Sequence, residues 1–116
     1  MKEQIQNRTK KMALEIIKLS EHLPNKSVGW TFSNQIIRSA TSVAANYRAV
    51  CRAKSDKDFI SKMETVIEEA DETLFWLEMI EESKIINHQS EILNLKSEVK
   101  TVKNRLNQKS SIHYQK

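Results

Sequence analysis

From Trp30 to Cys51 the apolar residues Phe32, Ile36, Ala40, Val43, Tyr47 and Val50 follow one another at steps of four, four, three, four and three. That spacing puts them in one stripe along an α-helix. Gln35, Ser39, Ser42 and Asn46 run beside the stripe at the same spacing, and Ala44, Ala45 and Ala49 keep the remaining surface thin. Small side chains let neighbouring backbones approach, and short polar ones need partners once covered. The pattern predicts a central helix over about residues 29–53, enclosed on more than one side.

Three further helices flank it. Ile5, Met12, Ile16 and Leu19, widened by Ala13 and Ile17, mark one face of a helix over about 3–21. Pro24 cannot continue that helix and pushes Leu23 out of the α region, so His22 to Ser27 reads as a loop, with Trp30 expected to pin the next helix against the bundle end. Ser55 followed by Asp58 is a variant capping box opening a helix over about 56–83. Its stripe is Phe59, Met63, Val66, Ala70, Leu74 or Thr73, Leu77 and Ile80, while Glu64, Glu68, Asp71, Glu78 and Glu82 hold a separate face. After an apolar turn at Ile85–Asn87, the residues Ile92, Leu95, Val99, Val102 and Leu106 form a narrow seam on a helix over about 89–108. Residues 109–116 read as a fraying tail. The short connection after the central helix makes it and the third helix an antiparallel pair.

Composition agrees with one all-α domain spanning 1–116: a single Gly (Gly29) and a single Pro (Pro24) leave few breaks. A chain of this size buries roughly 65% of its unfolded surface, enough for a core without metal or disulfide support. Cys51 is the lone cysteine, and no apolar run resembles a leader or a membrane span, so the cytoplasm is the expected compartment. Charge is segregated: residues 1–57 carry +7, residues 58–98 carry −8 and residues 99–116 carry +5. Opposite blocks on successive helices favour packing within a chain and contact between chains.

The ordered blocks Leu23-Pro24, Gln35 to Arg48, Ser55 to Ile60, Glu68 to Thr73 and Trp76-Leu77-Glu78 resemble the bacterial family named for proteins encoded in intervening sequences of 23S rRNA genes. The resemblance covers roughly residues 22–82. It implies a left-handed, antiparallel up-and-down four-helix bundle and a homo-oligomer, a ring of five with a central channel. Some members carry Glu-Gly where this chain has Arg48-Ala49, which points to one branch of the family. The family is also similar in fold to the basic pentameric accessory proteins of diversity-generating retroelements, which bind nucleic acid; that is an analogy of fold, not of site.

Chemistry is sparse. No Glu is followed three residues later by His, and His22, His88 and His113 sit at helix ends or in the tail, so neither a metal nor another cofactor is expected. Cys51, Ser39 and Ser42 lack a nearby base, and one glycine cannot build a phosphate loop. The expectation is a protein that is not an enzyme. Gln35, Arg38, Ser39, Asn46, Glu69 and Glu72 are candidates for a structural polar network, and Arg38, Arg48 and Arg52 are placed to pair with third-helix acids, within one chain or across two. Phe75, Trp76 and Met79 lie off the core stripe and are candidates for a contact between copies. Lys96, Lys100 and Lys103 share a face near Arg105, and Lys10, Lys11 and Lys18 are placed to join them as a phosphate-binding patch for RNA or DNA. The patch contains no interleaved aromatics for base stacking. The alternative function is a protein-interaction scaffold without a nucleic-acid role, its protein partner unspecified; an unrecognised enzyme ranks third.

Overall fold

The computed structural model describes residues 2–114, with side chains over 3–110. Four helices follow in order: α1 (Lys2–Ser20), α2 (Ser27–Val50), α3 (Asp56–Ser83) and α4 (Gln89–Tyr114), with no strand among the described residues. Each helix packs on two others. α2 lies against α1 and α3, α4 lies against α3 and α1, and the two diagonal pairs stay apart. The product is an all-α bundle of 47 × 23 × 20 Å. Its long dimension follows from the 28 residues of α3, which at 1.5 Å each span about 42 Å.

All six residues of the central stripe on α2 are buried. They join Met12, Ile16 and Leu19 of α1, Met63, Val66, Leu77 and Ile80 of α3, and Ile92, Val99 and Leu106 of α4 in one core. Ala40 and Ala70 are fully buried, and their short side chains let α2 and α3 close on each other. Phe59, Ile67 and Leu74 sit at the core margin, and Thr73 holds the fully buried position.

The ends differ from the periodicity in instructive ways. α1 stops at Ser20, where the amides of Glu21, His22 and Leu23 turn to carbonyls three residues back. α2 starts at Ser27, two residues earlier than expected, and gives way after Val50 to a tighter turn in which Arg52 and Ala53 donate to Ala49 and Val50. Trp30 does not pin the bundle end: it is 55% exposed, and its indole N–H donates to Asn25 Oδ1 at 2.7 Å. The capping residues at α3 behave as read, with the Asp58 amide donating to Ser55 Oγ at 3.1 Å and the Asp58 carboxylate accepting from the Lys54 amide at 3.1 Å. The expected fraying tail is instead helix as far as Tyr114, because no breaker intervenes and Ser110, one turn past Leu106, is buried. Residues 115 and 116 of that tail lie outside the described residues.

Candidate interaction surfaces

Of the six residues expected in a polar network, five lie together in two contacts that meet at Glu69, and Asn46 stands apart. Arg38 reaches α3, pairing with Glu69 at 3.0 Å and also with Glu72, and its Nε donates to Gln35 Oε1 at 3.4 Å. Beneath it, Thr73 Oγ1 stands 3.0 Å from Ser39 Oγ and 2.8 Å from the Glu69 carbonyl. Ser39 itself donates to the Ile36 carbonyl. Both hydroxyls are fully buried and satisfied, so they fix the register of α2 on α3. Asn46 belongs to neither group. Its amide is taken by Ser42, one turn back, at 2.9 Å to the carbonyl and 2.7 Å to Oγ, while Ser39 lies two turns away. Within the chain neither Arg48 nor Arg52 pairs with a described α3 acid, and both border a cleft between α1 and α2.

Of the seven cations expected to form one basic patch, five are spread over three seams and two stand exposed on α4. Lys96 pairs with Glu81 at 2.8 Å and Lys103 with Asp71 at 2.6 Å, so two of the expected patch's three α4 lysines tie α4 to α3. Lys100 and Arg105 are exposed on α4. Lys11 and Lys18 edge the α1–α4 groove beside Glu15 and Glu91, and Lys10 sits in the α1–α2 cleft with Arg48 and Arg52. Arg8 adds a two-pronged bond to Glu98, at 2.7 and 2.9 Å, that joins α1 to α4. Sequence spacing gave no sign of that pair, whose members lie 90 positions apart.

On α3, Phe75 and Met79 are 47% and 39% exposed, as expected of residues off the core stripe. Trp76 turns inward, its ring 5.9 Å from Phe32 and 5.0 Å, edge-on, from Phe75, with its indole N–H toward Glu72. The exposed apolar ridge is therefore Phe75 and Met79, with Trp76 as its base. Leu14, 51% exposed on α1 beside the basic cleft, is a further apolar position that periodicity did not single out.

A model of the 23S rRNA-intervening sequence protein family matches residues 1–108. The chain belongs to that family. A crystal structure from Bacteroides thetaiotaomicron VPI-5482, described as a protein of unknown function from the S23 ribosomal protein family, is similar to it with a TM-score of 0.85 at 28% identity, over 96% of this chain and 99% of the other. No curated protein matches the chain.

Between α3 and α4, the Lys96–Glu81 pair makes a pH-sensitive brace. The Lys96 ammonium hydrogen-bonds the Glu81 carboxylate and holds it below its usual value of 4.5, outweighing the desolvation that acts the other way. A carboxylate whose folded pKa is depressed stabilises the fold fully above its unfolded pKa and loses that contribution as pH falls through the folded value. Replacing Lys96→Met should therefore flatten the fall in melting temperature between about pH 5 and 3. Parallel acid-side slopes in parent and variant would show the pair to be energetically silent.

Proposed function

We propose that the protein is a non-enzymatic cytoplasmic homo-oligomer that holds RNA or DNA by its phosphates without reading sequence. The observation that carries this reading is the state of the α1 cations: Lys10, Lys11 and Lys18 are exposed, and none has a carboxylate at ion-pair distance among the described residues. Lys100 and Arg105 share that condition, whereas Lys96 and Lys103 are engaged with α3 acids. A few such cations bind one chain of phosphates weakly, but an assembly repeats the set in every copy, and the released counterions add. Sequence preference is not expected, because no exposed aromatic accompanies the α1 lysines to stack on a base.

Gel retardation of duplex RNA and of DNA tests this. Binding should weaken steeply from 50 to 200 mM salt, and Lys11→Glu with Lys18→Glu and Arg105→Glu should weaken it at least tenfold while the native mass holds. Retardation unchanged in that triple variant would refute phosphate binding by these residues. The exposed Phe75–Met79 ridge favours a second reading, a scaffold that engages proteins alone; stoichiometric capture of one protein that survives nuclease, with no retardation of nucleic acid, would support it.

A further inference from the structure

We propose that the cleft between α1 and α2 is a socket for the α3 ridge of a second copy of this chain. The inference rests on the homo-oligomeric reading above and adds which two surfaces meet. The cleft encloses about 480 Å³, and small residues, Ala44 and Ala45 among them, form its α2 wall. Leu14 stands half-exposed on the α1 side. One end is cationic: Arg48 and Arg52 line it, and no described carboxylate lies at ion-pair distance from either.

The α3 ridge is the inverse of this surface. Phe75 and Met79 stand one turn apart, about 6 Å along the helix. Glu68 and Glu82 lie seven residues to either side of Phe75, on its stripe and about 10 Å away. Both are exposed, and neither makes an ion pair among the described residues. Within the cleft, Arg48 comes three residues after Ala45, about 5 Å along α2, and Arg52 follows in the turn just past the end of the helix. A ring resting on Ala44 and Ala45 thus sets a flanking glutamate beside the two arginines.

Apolar centre meets apolar wall, and a flanking acid meets the cationic end. A nucleic-acid backbone would satisfy the cations but leave Leu14 and the alanine wall facing charge. Socket and ridge belong to different faces of the bundle, so a chain cannot fill its own socket. Each copy gives its ridge to one neighbour and receives another's, the head-to-tail arrangement that closes into a ring or runs on as a filament.

Charge reversal on the 116-residue chain, read by light scattering with circular dichroism as a folding control, tests the contact. The parent should have a mass several times 13.5 kDa. Arg48→Glu with Arg52→Glu should weaken association at least tenfold and leave the helical signal intact. Adding Glu68→Arg and Glu82→Arg to the same chain should restore the mass, because the acid–base pairing is re-formed with signs exchanged. An oligomeric parent whose mass survives Arg48→Glu with Arg52→Glu would overturn the socket and leave the oligomeric reading standing. If that variant keeps its mass but loses retardation of nucleic acid, the cleft is a phosphate site and the socket is likewise overturned. A parent of 13.5 kDa would remove both readings together.

Discussion

Phe75→Glu is expected to convert the assembled protein into folded monomers of 13.5 kDa. Two effects of the same sign combine. Covering a Phe side chain contributes on the order of 1.5–3 kcal/mol, which the variant loses, and a carboxylate placed against an apolar wall carries a desolvation cost that only a well-placed cation offsets. A loss of about 3 kcal/mol in one contact is already more than a hundredfold in affinity, and a closed assembly multiplies it over every contact. The fold itself should be spared. Phe75 is 47% exposed and outside the core cluster, so its removal costs the edge contact with Trp76 and little else. The readout is native mass beside far-ultraviolet circular dichroism: full mass in the variant would exclude the α3 ridge from the interface.

Gly29→Ala should destabilise the monomer fold more than any exposed substitution, although alanine is the better helix former by about 1 kcal/mol. Gly29 lies buried in the first turn of α2, where the chain doubles back after Pro24. A Cβ at this position would stand 1.8 Å from the Pro24 carbonyl oxygen and 2.9 Å from its carbon. Both are backbone atoms, so no rotamer relieves the clash; the loop or the start of α2 must shift. Forcing extra volume into a packed site costs about 1–3 kcal/mol, occasionally more, against the gain in helix propensity. Differential scanning calorimetry should show a melting temperature lower by roughly 5–10 °C, at about 4–8 °C per kcal/mol for a domain near this size. An equal or higher melting temperature would mean that the loop yields freely.

The helices were legible because apolar side chains recur at helical spacing and because the two strongest breakers sit together in the twenties. The α2 stripe, the α3 cap at Ser55 and the α4 seam all follow from local chemistry that needs no partner to be recognised. What escaped was set by neighbours. Thr9 interrupts the α1 stripe yet is fully buried, its hydroxyl satisfied by donating to the Gln6 carbonyl. Lys96 and Lys103 share one helical face, as spacing required, but that face abuts the α3 acids Glu81 and Asp71, which take up their charge. Asn46 looked like a member of a buried network because its helical phase matches that of Ser39; two turns of separation and the adjacent Ser42 make it local. Gly29 marked punctuation in the sequence, but the need for it is the approach of a backbone carbonyl, which spacing does not encode. Likewise the α1–α2 cleft exists only once Lys10, Leu14, Arg48 and Arg52 are brought together by packing.

Self-association stands beneath the whole account, since both the ridge-in-socket contact and the multiplied lysine surface need more than one copy. Sedimentation equilibrium of the 116-residue chain at micromolar concentration addresses it without any substitution. An integral multiple of 13.5 kDa, unchanged on dilution over the range where the helical signal persists, is the expected outcome. A species of 13.5 kDa at every concentration would contradict it, leaving Phe75 and Met79 in water and the acid ridge and basic cleft as unrelated faces of a solitary bundle.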